Sequence, residues 1–202
     1  MNSIAKRLIA LILFLIAGSV YADSLVSKIE GLVSSAPTVR GKFIQSKTLS
    51  GVSKKLNSEG FFIVDKSKGI IWITEKPIYQ TLKVSDSGIR IENKSGVLMN
   101  LDARSEPSVK YINELVLAIF SGDMSALERL FNYSGDVTAK GWNLELTPKN
   151  TASTFFKKIT IVGGSAINRI SFISKDGDLT EVIFSDVRLA PVLNKDETLQ
   201  FQ

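Results

Sequence analysis

Along residues 23–36 apolar side chains recur every three or four positions, at Leu25, Val26, Ile29, Leu32 and Val33, after which the period changes to two. The first spacing predicts one amphipathic helix, with Ser24 or Asp23 as its N-cap and Pro37 beyond its end. The second predicts a train of strands over 39–49, 60–65, 69–74, 79–84, 89–92 and 97–101. Each is rich in β-branched or aromatic residues and is bounded by Gly, Ser, Asp, Asn or Pro, the pattern of an antiparallel meander.

Between 108 and 131 the period returns to that of a helix, through Val109, Ile112, Leu115, Val116, Ile119, Phe120, Leu127 and Leu130. It is broken once, at Ser121-Gly122-Asp123, where Gly122 suits a C-cap and Asp123 an N-cap, so two helices are predicted. Strands resume over 137–139, 142–147, 156–162, 167–174 and 179–187, with Asp176-Gly177 marking a hairpin turn. The expected order is one helix, six strands, two helices and five strands, a mainly β protein with α in a single unit over 23–202.

About ten strands in one sheet tend to curl or split, and a curled sheet needs something to fill its interior. Helices with an apolar stripe supply that filling, so the fold class expected is an incomplete antiparallel barrel, a half-shell of about eleven strands covered by a helical lid. The stripe Leu115, Ile119, Phe120 and Leu127 is the candidate lid. Strand alternation puts Ile70, Trp72 and Thr74 on one face, and Phe62, Val64 and Lys66 likewise on one face. Lys66 therefore faces either the interior or solvent. The wall of an apolar cavity is expected from Phe43, Phe62, Val64, Ile70, Trp72, Leu82, Leu98, Leu144 and Phe172.

The first 22 residues change the picture of where this fold works. Lys6-Arg7 precedes an unbroken apolar run from Leu8 to Ala17, which ends in Gly18-Ser19-Val20-Tyr21-Ala22. The run is shorter than the roughly 20 residues a membrane span needs, and Val-x-Ala suits signal peptidase. A signal peptide cleaved after Ala22 and delivery to the periplasm are expected. The chain has no cysteine, which excludes lipidation at the cleavage point and any disulfide.

Charge and composition narrow the chemistry further. The formal charge of +5 loses two with Lys6 and Arg7, and the remainder is spread along the chain, too dilute for nucleic-acid binding. With neither histidine nor cysteine, the chain lacks the commonest general base, the Ser/His and Cys/His nucleophile pairs and the usual zinc ligands, so no metal or cofactor is expected. Carboxylates such as Glu59, Asp65 and Glu75 near strand ends are the material a glycosidase-like site would need, but scattered acids are normally surface charge. No enzymatic activity is expected. Lys54-Lys55 and Lys157-Lys158 read as solvated positions that a protein visiting a membrane surface or an acidic partner could use.

Several stretches, taken in order, resemble the LolA/LolB family of periplasmic lipoprotein carriers and receptors. They are Gly41-Lys42-Phe43-Ile44-Gln45, similar to that family's Phe-x-Gln strand; Ser58-Glu59-Gly60-Phe61-Phe62; Ile70-Ile71-Trp72 with Pro77; Trp142-Asn143-Leu144-Glu145-Leu146-Thr147-Pro148-Lys149, similar to its Leu-x-Pro-Lys segment; and the closing hairpin from Asp176 to Phe184. The resemblance implies a half-barrel with a lid, a cavity for acyl chains and no catalysis. It also implies partners: an acylated lipid or lipoprotein as cargo, an inner-membrane exporter and an outer-membrane acceptor, for a monomeric carrier. Where the best-known carriers have an Arg-Pro pair whose arginine holds the lid, this chain has Lys66-Ser67, which makes Lys66 the candidate latch. The rival from another class is a non-carrying interaction or accessory module of the envelope whose barrel is filled by its own side chains.

Overall fold

The computed structural model describes residues 24–33, 35–52, 54–149 and 155–201, so the signal peptide expected over 1–22 lies outside the described residues. Helix α1 (Leu25–Leu32) starts at Ser24, whose side chain accepts a hydrogen bond from the Ser27 N–H at 3.1 Å. Six strands follow: β1 (Thr38–Thr48), β2 (Lys55–Asp65), β3 (Gly69–Lys76), β4 (Gln80–Ser85), β5 (Gly88–Asn93) and β6 (Gly96–Asp102). Helices α2 (Pro107–Ser121) and α3 (Met124–Leu130) come next, then β7 (Phe131–Thr138), β8 (Gly141–Pro148), β9 (Phe156–Gly163), β10 (Ile167–Ser174) and β11 (Leu179–Ala190). A last helix, α4 (Lys195–Gln200), ends the described chain.

All eleven strands form one antiparallel sheet in the order β6-β5-β4-β3-β2-β1-β11-β10-β9-β8-β7. Each strand pairs with its chain neighbour except at the centre, where β1 pairs with β11. The two free edges, β6 and β7, are the strands that the α2–α3 pair connects. The sheet is therefore a curled but unclosed half-shell, and the helices cross the opening that further strands would close. Gly122 makes the corner between them at φ 71°, a left-handed conformation that terminates α2, and the Asp123 side chain caps α3 by accepting from the Ala126 N–H at 2.9 Å.

The main core lies on the concave face, under the helices. Rows of paired residues cross the strands there, Phe62–Trp72–Leu82–Ile91 and Val64–Ile70–Val84–Ile89, and helix side chains Ile29, Leu115, Ile119 and Leu127 pack on them. A second, smaller cluster sits on the convex face, where Ile63, Ile71 and Ile73 are covered by Phe61, Leu193 and Phe201. Helix α4 is held over this cluster by a capping box between Asn194 and Glu197, and by Glu197 pairing with Arg40 at 2.7 Å.

Three elements depart from the pattern reading. Strand β2 begins at Lys55, five residues before the expected start, because its first part pairs with β1 as an exposed ribbon and shows no buried face for alternation to reveal. Strand β7 begins at Phe131, directly after α3, and most of it is an exposed edge whose polar sequence carries no period-two signal. Helix α4 was not expected at all.

Candidate functional site

Between α2 and the concave face lies a cavity of about 280 Å³. Its floor is Ile70, Trp72, Leu82, Val84 and Ile89 on one side and Ile159, Ile170, Phe172 and Val182 on the other, and its roof is Ile112, Leu115, Val116, Ile119 and Phe120. Gln45 is the single polar side chain in the lining. A smaller cavity of about 40 Å³ lies beyond, under α1 and α3, with Phe62, Leu127 and Leu144 in its wall. Ile119, Phe120 and Phe184 border both.

An aromatic wall separates the two spaces. Phe120 meets Phe62 at 5.9 Å and Phe184 edge-on at 5.7 Å, and Phe62 meets Phe184 at 5.1 Å between ring centroids. Trp72 meets Phe184 edge-on and stacks on Phe43 at 3.8 Å. Such contacts contribute about 0.5–1.5 kcal/mol per pair beyond the area they bury. Phe120 belongs to the lid and Phe62 and Phe184 to the sheet, so part of the hold on the lid is this aromatic contact.

The expected wall residues divide into three groups. Ile70, Trp72, Leu82 and Phe172 line the larger cavity, and Phe62 and Leu144 the smaller. Phe43 and Val64 are fully buried in the main core behind the lining. Leu98 is a correction: it lies 59% exposed on edge strand β6. Met99 and Leu101 pair with the inward-facing Ile91 and Ile89, so alternation along β6 turns Leu98 to the outer face, and the pairing slips beside it, with Glu92 opposite Val97. The four lid residues lie on the inner faces of the helices: Leu115, Ile119 and Phe120 of α2 roof the larger cavity and Leu127 of α3 the smaller.

Lys66 is the second correction. Strand β2 ends at Asp65, so Lys66 sits exposed in the β2–β3 turn and strand parity no longer points its side chain at the lid. The turn is organised by Asp65, whose carboxylate accepts from the Ser67 hydroxyl at 2.6 Å, from the Ser67 and Lys68 N–H groups, and from Thr38 Oγ1 at 3.3 Å. Burial pushes this carboxyl's pKa up, and the bonds from Ser67, Thr38 and Lys68 outweigh it, leaving the group below its ordinary value. This accounts for Asp65 as a structural group. Glu59 lies six residues away along β2, roughly 20 Å in an extended strand, and is paired with Lys76 at 2.7 Å. Glycoside hydrolysis needs its two carboxyls within about 10 Å, so this pair does not fit that chemistry. Among the described residues no group of three or more acids could hold a metal ion.

A polar tether for the lid comes from a residue the sequence did not single out. Asn113, 3% exposed on α2, donates from Nδ2 to the carbonyl of Ser85, the last residue of β4, at 2.7 Å, while its Oδ1 is buried without a partner. Two residues earlier Tyr111 stacks on Phe155 at 5.9 Å, its hydroxyl buried and unpartnered, and burial pushes its pKa up to about 12. No signal in the sequence marks the Asn113 contact, because its partner is 28 residues away and is a backbone carbonyl.

Solved structures similar to this one include the LolA superfamily protein NE2245 from Nitrosomonas europaea, 11% identical, with a TM-score of 0.47 over 91% of this chain and 100% of that one. A DUF1329 family protein from Desulfovibrio piger ATCC 29098 is 11% identical, with a TM-score of 0.47 over 88% of this chain and 96% of the other. A chain of the Pseudomonas aeruginosa MucA/MucB complex is 14% identical, with a TM-score of 0.46 over 82% of this chain and 55% of that one. No curated protein matches the chain in sequence. The family model described as outer membrane lipoprotein carrier protein LolA matches residues 34–199. The chain belongs to the LolA family.

Proposed function

We propose that this protein is a periplasmic carrier that takes up the acyl chains of a lipoprotein or other acylated lipid in the cavity under α2 and moves them from an inner-membrane exporter to an outer-membrane acceptor, without catalysis. The observation that carries the reading is the cavity itself: an apolar space of about 280 Å³ with one polar side chain in its wall, roofed by a helix instead of by strands. A ligand-sized site typically starts near 300 Å³, so the resting cavity suits part of one acyl chain, and a larger cargo requires the lid to move.

Burying each acyl methylene contributes about 0.8 kcal/mol. Lid residues such as Phe120 and Ile119 already occupy the concave face, so entering chains displace contacts that the protein makes with itself. That exchange keeps the net affinity moderate and lets cargo leave. The family membership supports this reading over catalysis. The aromatic wall of Phe62, Phe120 and Phe184 is the observation on the side of the rival, a barrel filled by its own side chains, because those rings take up the centre of the half-shell.

Uptake of a fluorescent fatty acyl probe separates the two. Val116, half-buried in the roof, is the place to fill the cavity. The carrier takes up the probe, and Val116→Phe abolishes uptake while its unfolding transition stays within a few degrees of the parent's. A parent protein that takes up no probe is a self-filled module.

A further inference from the structure

We propose that the groove beside α4, on the convex face of the sheet, binds an extended peptide segment of a partner protein. The groove has a volume of about 420 Å³, within the range of ligand sites. Strand register assembles it: Arg40 lies opposite Ile63 on β2 and opposite Arg188 on β11, and Lys42 lies opposite Phe61. Ile63 belongs to the convex cluster and Phe61 packs against it, which gives the groove an apolar floor. Asn194, Glu197 and Gln200 form the wall on the side of α4.

The backbone is irregular at this place. Between Arg40 and Lys42 the pairing of β1 with β11 slips, and β11 has Asp186 and Val187 where β1 has Gly41 alone. Asp186 is the one non-glycine residue with a positive φ, 51°, among those described. Bulges of this kind re-aim a side chain, and Asp186 is turned to pair with Lys42 at 2.8 Å in the groove wall.

Four buried side-chain atoms among the described residues lack a hydrogen-bond partner, and two of them, Arg40 Nε and Gln200 Oε1, belong to this groove. Glu197 at 2.7 Å and the Val192 carbonyl at 3.1 Å hold the other two nitrogens of the Arg40 guanidinium, so the direction of the Nε–H is fixed. A buried donor and a buried acceptor left open are unfavourable, and a group that accepts from one and donates to the other relieves both.

The charges in the wall cancel, with Arg40, Lys42 and Arg188 against Asp186, Asp196 and Glu197, so the groove favours neither an anion nor a cation. A peptide unit is neutral and carries one acceptor and one donor, and an apolar side chain beside it covers Phe61. A sugar ring carries several hydroxyls, more than the two open groups serve, because four of the six charged side chains are engaged with each other. The acyl cavity lies on the opposite face of the sheet, and the inference does not rest on the carrier reading.

The test is heteronuclear NMR of the nitrogen-labelled protein, titrated to millimolar concentration with four blocked tripeptides that carry leucine, isoleucine, phenylalanine or methionine between two alanines. Acetate and maltose are the controls. At least one tripeptide shifts the Arg40 Nε–H resonance, and replacing the amide after its central residue by an ester, which removes the N–H, weakens binding about three- to tenfold. Gln200→Met weakens it by a similar factor without lowering the unfolding transition, because the acceptor it removes has no partner in the free protein. Arg40→Lys keeps a cation beside Glu197, loses the Nε donor and weakens binding about tenfold. Uptake of the fatty acyl probe is unchanged in both variants. Silence of all four tripeptides, equal binding of the ester analogue, equal binding by the Gln200→Met protein, or a response to acetate or maltose and not to the tripeptides overturns the proposal.

Discussion

Phe120→Ala removes the lid's ring from the wall between the two cavities. The ring is half-buried and makes two aromatic contacts, with Phe62 and Phe184. A fully buried Phe→Ala costs about 3–5 kcal/mol; with part of the ring already in solvent, the loss here is about 2 kcal/mol, which lowers Tm by roughly 4–8 °C for a chain of this length. The same change merges spaces of about 280 Å³ and 40 Å³ into one. Each further methylene that this space admits contributes about 0.8 kcal/mol, close to a fourfold tighter Kd. The variant is therefore less stable when empty and prefers longer acyl chains than the parent. Titration of the parent and the variant with fatty acyl probes of increasing length, beside thermal unfolding, reads both effects. An unchanged dependence on chain length together with the expected loss of stability would refute the partition and reduce Phe120 to ordinary packing.

Asn113→Ala leaves the Ser85 carbonyl without its donor and costs about 1–2 kcal/mol, seen as faster amide exchange in α2 and faster release of bound probe; unchanged exchange there would mean that the tether does not hold the lid. Asp65→Asn destabilises by about 1–3 kcal/mol at neutral pH. Because the folded pKa of Asp65 lies below the unfolded value of about 3.9, its contribution is present above that pH and is lost as pH falls through the folded value. The stability gap between parent and variant accordingly closes in acid, and a gap independent of pH from 7 to 2 would contradict the assignment. At Gly60 a Cβ would stand 1.9 Å from the Ile73 carbonyl oxygen, so Gly60→Ala forces β2 and β3 apart and costs more than about 2 kcal/mol by denaturant titration.

What the sequence made legible follows the buried faces. The row Phe62, Trp72 and Leu82 could be read because alternate residues of each strand face a single core, and the corner at Gly122-Asp123 because caps have a residue signature. Parity arguments failed where a strand ended or where its apolar run did not alternate. Lys66 lies one residue past the end of β2, and Asp65-x-Ser67 was the available sign of a side-chain-organised turn. Leu98 has the opposite parity to the inward Met99 and Leu101, and the unbroken apolar run Val97-Leu98-Met99 shows no alternation from which to read which residues face inward. Helix α4 could have been found from Asn194 and Glu197, a capping box at the usual spacing. The Asn113–Ser85 tether and the division of the interior by Phe62, Phe120 and Phe184 are tertiary pairings of residues far apart in the chain, and only the folded structure brings them together.

The carrier reading stands or falls on whether the space under α2 holds acyl chains. Native mass spectrometry of the protein released from its own cell envelope without detergent tests it most directly, with Val116→Phe prepared in parallel. The parent protein is expected to carry an acylated lipid whose mass identifies the cargo, and the variant to emerge bare. A parent protein that is lipid-free, or a variant that retains the same adduct, would contradict it.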